Sequence, residues 1–253
     1  MTIGDLSLYF SFLFSFLASV LTVLALKFEN DRLLESGRRA LFSVFLLSSL
    51  ACYRLVWAFL RDEFTIEYVY SHSSLDLPLL YKLTALWAGQ EGSLLFWFWL
   101  LCLFSAVLAS MKRDEILDRS LPVLAFTELF FSLLLIFPSR PFEKVPFTPA
   151  DGRGLNPLLQ NPGMVLHPPT LYLGYVGFTV PFAIGIGALL SGRSDSEWIK
   201  KCRHWTIFSW VFLTLGIIFG AKWAYVELGW GGYWAWDPVE NASLMPWLTA
   251  TAF

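Results

Sequence analysis

The sequence has 253 residues, 56% of them hydrophobic and only 15% charged, and 18 basic against 20 acidic residues leave a net charge of −2. A soluble domain carries about 25% charged residues, so this composition excludes an ordinary soluble fold. The near-neutral balance excludes the basic surface that nucleic-acid binding needs.

Crossing a bilayer core takes roughly 20 mostly apolar residues in a helix. Six runs fit: Leu6–Leu26, Ala40–Leu60, Ser93–Met111, Leu121–Pro138, Thr170–Leu190 and Trp205–Ala221. A seventh helix opens at Pro238 and runs to Phe253. The first run has no Lys or Arg before it and no small-residue cleavage site after it, unlike a signal peptide. The expected fold is therefore an all-α polytopic integral membrane protein: six transmembrane helices and an incomplete seventh in a single membrane domain over 1–253. Long loops are expected at 61–92, 139–169 and 222–237. Three short loops alternate with these and hold most of the basic residues, among them Arg38, Arg39, Lys112, Arg113, Lys200 and Lys201. By the positive-inside rule the short loops face the cytoplasm. The N-terminus and the long loops, including a Trp-rich one, then lie outside. As helix, 238–253 would extend about 24 Å, short of a core of about 30 Å. The expectation is the N-terminal part of a longer protein, or one piece of a split one.

Two charges fall inside the runs, Arg54 and Glu128. Intramembrane charges are costly and face a partner or a water-filled cavity, so these two are expected to bond each other or neighbouring helices. Cys52, Cys102 and Cys202 form no CxxC pair. That argues against a thiol-disulfide enzyme, a structural zinc site and a chain that is itself a c-type cytochrome.

Three outer-loop motifs follow in chain order. In Tyr81-Lys-Leu-Thr-Ala-Leu-Trp-Ala-Gly-Gln-Glu-Gly-Ser93, Gly89 and Gly92 bound a polar Gln90-Glu91 turn, and Ser93 is placed to cap the third helix. This turn can line a cavity or be an ordinary re-entrant turn. In Leu155-Asn-Pro-Leu-Leu-Gln-Asn-Pro-Gly-Met-Val-Leu-His-Pro-Pro-Thr-Leu-Tyr172, the prolines Pro168 and Pro169 can open the fifth helix. His167 then stands at its outer N-terminus, as a metal ligand or as a cap on the loop. His72 and His204 have no such motif around them.

The third motif is Gly229-Trp-Gly-Gly-Tyr-Trp-Ala-Trp-Asp-Pro-Val-Glu240. Trp230, Tyr233, Trp234 and Trp236 crowd next to Gly231 and Gly232. Flat aromatic faces beside glycines suit a large planar ligand, because glycine lets the backbone come close. An interfacial aromatic belt is the plainer account of scattered Trp and Tyr. Asp237, Pro238 and Glu240 read as N-cap, N1 and N3 of a capping box that starts the seventh helix.

Trp-Gly-Gly-Tyr-Trp-Ala-Trp-Asp (230–237) resembles the "WWD" signature of the haem-handling proteins of cytochrome c biogenesis. Its continuation Asp237-Pro-Val-Glu-Asn-Ala-Ser-Leu-Met-Pro-Trp-Leu248 resembles the CcmF family and its NrfE paralogues. So do His167-Pro-Pro-Thr-Leu-Tyr-Leu-Gly-Tyr-Val-Gly-Phe178 and Ala85-Leu-Trp-Ala-Gly-Gln-Glu-Gly-Ser93. The resemblance covers essentially the whole chain but only the N-terminal part of such a protein.

The resemblance implies a haem lyase subunit of the plasma (inner) membrane, with its haem-handling face on the periplasmic side. It implies CcmH and CcmI as companions, CcmE as the haem chaperone and apocytochrome c as the acceptor. A b-type haem is transferred and becomes c-type through thioethers to CxxCH. His167 matches one external axial ligand, and Trp230, Gly231, Gly232, Tyr233, Trp234, Trp236 and Asp237 match the haem-bearing surface. The second external histidine and both membrane histidines of the family have no match here, and no catalytic residue is assigned. Two rival expectations are a haem exporter of the CcmC type without ligation activity and a generic multi-helix channel.

Overall fold

The computed structural model describes residues 2–192, 196–227 and 232–253. Its helices are α1 (Ile3–Phe28), α2 (Asp31–Leu60), α3 (Glu67–His72), α4 (Leu79–Thr84), α5 (Gln90–Ser110), α6 (Glu115–Leu134), α7 (Pro162–Gly177), α8 (Thr179–Leu190), α9 (Glu197–Glu227) and α10 (Pro238–Ala252). Among the described residues the only extended pairing is one isolated bridge, Ile66 with Lys144. Six helical segments are long and apolar enough to cross a membrane: Ile3–Phe28, Asp31–Leu60, Gln90–Ser110, Glu115–Ser139, Pro162–Leu190 and Glu197–Glu227. The fold is all-α and polytopic, and each segment begins before the apolar stretch that marks it in the sequence.

The chain divides into two compact units, Met1–Leu155 with Ala183–Ser194 and Asn156–Phe182 with Asp195–Phe253. In the first, α1 packs on α2 and α6 through a face of small residues: Gly4, Ser7, Ser11, Ser15, Ala18, Ser19, Thr22 and Ala25 are all buried. Lipid gives helices no hydrophobic reason to associate, so close backbone approach through small residues does the work. Four of the hydroxyls bond within their own helix, and that of Ser15 has no partner among the described residues. Ser7 donates to the Ile3 carbonyl at 2.8 Å, Ser11 to Ser7 at 2.8 Å, Ser19 to Ser15 at 2.8 Å and Thr22 to Ala18 at 2.7 Å. Tyr9, Phe10, Leu13 and Phe16 on the opposite face are exposed, as lipid-facing side chains should be.

Arg38 and Arg54 in this unit are paired near the helix ends. The buried Arg38 donates to the carbonyls of Ala109 and Met111 at 2.8 and 3.1 Å and to Asp118 at 2.5 Å, tying α2 to the end of α5 and the start of α6. Arg54 pairs with Glu63 at 2.5 Å rather than with Glu128. Glu63 lies just past the end of α2, so the long arginine reaches towards the helix end. Glu128 is fully buried, and neither of its carboxylate oxygens has a hydrogen-bond partner among the described residues.

The Gln90-Glu91 motif also differs from its expected form. Gly89 is the N-cap and α5 begins at Gln90, so Ser93 does not cap the helix. Its hydroxyl instead donates to the Trp87 carbonyl at 3.0 Å. The Tyr68 hydroxyl accepts from the Gly89 amide at 2.9 Å and sits 3.1 Å from the Ala85 carbonyl, so α3 fixes this turn. A Cβ on Gly92 would run into the Leu86 carbonyl.

Candidate functional site

The second unit is built on α7 and α9. Asn161 is the N-cap of α7: its side chain accepts from the Gly163 amide at 2.7 Å, and Pro162 occupies N1. The helix therefore starts eight residues before Thr170. His167 lies in its second turn, not at its N-terminus, and Pro168 and Pro169 are inside it. The Asn-Pro pair at 161–162 is a complete start signal. The two internal prolines are tolerated because α7 packs on a neighbour and Thr170 remakes local bonds, donating to Leu166 at 2.7 Å and His167 at 3.0 Å.

Glycines bring the two helices together. A Cβ on Gly216 would come 2.6 Å from the Leu171 Cα, and one on Gly220 would come 2.5 Å from Cε1 of His167. The space opened at Gly220 is filled by the imidazole. Its Nδ1 lies 2.7 Å from the Gly216 carbonyl. A carbonyl can only accept, so Nδ1 carries the hydrogen, and in the neutral ring Nε2 keeps its lone pair. A backbone acceptor of this kind fixes a ligating histidine's tautomer and orientation.

α9 continues to Glu227, past the expected end at Ala221. Lys222 interrupts the apolar run, but a lysine at a membrane edge extends its amine into the interface and leaves the helix intact. The extra turns carry Trp223, whose ring centroid lies 5.8 Å from that of His167 with 49° between the planes. Asn161 also donates to Glu227, joining the start of α7 to the end of α9.

Trp230 and Gly231 lie outside the described residues. Gly232 to Asp237 form no helix. The Tyr233 ring stacks on Tyr225 of α9, centroids 4.6 Å apart and planes within 7°. Trp236 is exposed, has a left-handed φ of 59° and meets Trp234 edge to face at 6.0 Å. Asp237 caps α10 in the capping box that the sequence suggests: its carboxylate accepts from the Glu240 amide at 2.7 Å. Glu240 in turn accepts from the amides of Ala235 at 2.7 Å and Asp237 at 3.3 Å. Both carboxylates are thus engaged in shaping the loop. Trp247 of α10 donates to Thr214 of α9 at 2.7 Å, which seats α10.

A cavity of about 210 Å³ results, lined by His167, Leu171, Ile217, Gly220, Ala221, Trp223, Ala224, Trp234, Asp237, Val239, Glu240 and Ser243. Of the residues singled out in the sequence, the structure brings His167, Trp234, Asp237 and Glu240 to it. Gly232, Tyr233 and Trp236 are not among its lining. Trp223 is the lining aromatic that sequence reading missed. Its signal was the Gly220 to Trp223 spacing, one helical turn, which was hidden once the helix was ended at Ala221.

Among the described residues no group of three His, Cys, Asp or Glu is placed to hold a bare metal ion. A single imidazole suits a metal that brings its own ring of ligands, as haem iron does. His72 belongs to the other unit, with Nδ1 2.9 Å from the Tyr68 carbonyl, and His204 is exposed on α9.

Residues 87–253 match the family described as "Cytochrome C assembly protein". The chain is 41% identical to "Cytochrome c-type biogenesis protein CcmF" of Haemophilus influenzae, over 99% of this chain and 39% of that protein. It is 46% identical to the protein of the same name from Escherichia coli, over 88% and 35%. It is 44% identical to "Cytochrome c-type biogenesis protein NrfE" of Haemophilus influenzae, over 88% and 36%. A solved structure, "Cytochrome c Heme Lyase CcmF", superimposes with a TM-score of 0.87 at 36% identity, over 100% of this chain and 41% of that one. The chain thus spans about two fifths of the length of the relatives it matches.

Proposed function

Because the chain belongs to the cytochrome c assembly protein family, we propose that it is the haem-binding component of a cytochrome c haem lyase. It holds haem at the outer membrane face for thioether attachment to the CxxCH cysteines of apocytochrome c. The observation that carries this reading is His167. Its Nδ1–H is spent on the Gly216 carbonyl, and its ring lines a cavity beside Trp234 and Trp223. Nε2 would hold the iron, and the indoles of Trp234 and Trp223 would lie against the haem ring. Asp237 and Glu240 shape the loop from α10.

This chain would supply one ligand to the iron, and a second would come from another polypeptide segment. CcmE delivers the haem, and CcmH and CcmI present the apocytochrome, all at the plasma (inner) membrane with the Trp-rich loop on the periplasmic side. The test is His167→Ala, read by haem content and cytochrome c yield at matched protein level. Loss of both is expected, and unchanged values would refute the reading.

A further inference from the structure

A second cleft, wholly within the first compact unit, joins an apolar floor to charges of both signs. It has a volume of about 390 Å³ and lies between the start of α1 and the segment that follows α6, a size that small ligands occupy. Its walls are set by the backbone. Arg140, with a left-handed φ of 45°, turns the chain away from the end of the span, and its amide donates to the Leu135 carbonyl at 3.1 Å. The Glu143 carbonyl accepts from the Glu67 amide at 2.8 Å, and the Val145 amide donates to Thr65 at 3.1 Å. A Cβ on Gly4 would overlap the Phe142 ring, so that ring lies directly on the first turn of α1. Buried Leu8, Leu135 and Phe142 form the floor.

The rim carries Asp5, Arg140, Glu143 and Lys144, two anions and two cations. Asp5 accepts from the Thr2 amide at 2.6 Å and the Thr2 hydroxyl at 2.9 Å, both on Oδ2, so Oδ1 remains available. Arg140 and Glu143 are both exposed and 3.9 Å apart, a loose surface pair that holds neither strongly. Lys144 makes no ion pair among the described residues. Tyr9 lines the cleft and heads an exposed stripe of Tyr9, Leu13 and Phe16 on one face of α1. A mixed-charge rim at the end of two spans, above a lipid-facing stripe, has the layout of a headgroup above its acyl chains.

We propose that this cleft binds a phospholipid of the phosphatidylethanolamine type. Lys144 and Arg140 hold the phosphate, Asp5 and Glu143 accept from the primary ammonium, and the acyl chains follow α1. Charge decides between headgroups: an anionic one meets two carboxylates without a cation for them, and a choline has no N–H to donate to them. The site is separate from the His167 cavity and does not depend on the haem-binding reading.

The test is native mass spectrometry of the protein, purified in mild detergent and titrated with palmitoyl-oleoyl phosphatidylethanolamine, phosphatidylcholine and phosphatidylglycerol. The ethanolamine lipid should bind about ten-fold more tightly than the other two, the share of one charge-assisted hydrogen bond. Lys144→Ala should raise its Kd by a similar factor. Asp5→Asn combined with Glu143→Gln should erase its advantage over the choline lipid and strengthen phosphatidylglycerol binding. Equal binding of the ethanolamine and choline lipids by wild type would overturn the proposal, as would a preference for phosphatidylglycerol. An unchanged Kd in Lys144→Ala would overturn the phosphate contact. Soluble phosphoethanolamine should not displace the lipid, and displacement would overturn the lipid assignment in favour of a free phosphomonoester. The wild-type comparison decides even if a variant fails to fold.

Discussion

Two helix pairs in this molecule solve one packing problem in different ways. Both α1 with α2 and α7 with α9 approach closely through small residues. On α1 these are mostly Ser and Thr, and four of the hydroxyls bond back to the carbonyl four residues earlier in the same helix. At α7 with α9 they are glycines, and the polar bond crosses between helices, from His167 to the Gly216 carbonyl. Apart from Ser15, whose hydroxyl has no partner among the described residues, the α1 face closes its hydrogen bonds within its own helix. The second pair places an imidazole and two indole rings at one cavity. The small-residue spacing looks alike in both, and it is where the polar atoms end up that separates a scaffold from a site.

Substitutions that exploit this difference should separate haem retention from stability. Gly220→Leu should have the largest effect. It puts a branched side chain where the imidazole sits, and near-complete loss of the Soret band is expected in the purified protein. Asp118→Ala should do the reverse. It leaves Arg38 buried without its carboxylate, at a cost of roughly 3–5 kcal/mol. The melting temperature should fall steeply while any retained haem keeps its spectrum.

Asp237→Ala should remove the cap of α10 for about 1 kcal/mol and weaken haem retention through the displaced loop. Asp237→Asn keeps an acceptor oxygen and should be milder. Abolished activity in a folded Asp237→Asn variant would show a charge-specific role instead. The smallest effect belongs to Ser11→Ala. Its hydroxyl serves only its own helix, and a change within about 0.5 kcal/mol in thermal unfolding is expected.

The spans were legible because an uninterrupted apolar run has few alternatives at a bilayer's thickness. The capping box at Asp237 was legible because its signal is local. The start of α7 was misjudged although its signal is equally local. Asn161-Pro162 is a helix start, but Pro168-Pro169 presents a second one, and only packing against α9 decides between them. Trp223 was hidden because Lys222 ended the hydropathy run, while helices end on hydrogen bonds and caps. Neither the cross-helix bond of His167 nor the pairing of Arg54 with Glu63 carries a short-range signature. Each depends on which carbonyl or carboxylate the fold brings near.

The central claim is that Nε2 of His167 ligates haem iron from a ring held by Gly216. Replacing His167 by Gly opens the imidazole's space without adding a side chain, so free imidazole can take its place. The electronic spectrum of hemin-loaded His167→Gly, recorded with and without added imidazole, tests the claim most directly. The account predicts a shifted, weakened Soret band that imidazole restores to the wild-type position. A wild-type spectrum in His167→Gly without imidazole would contradict it.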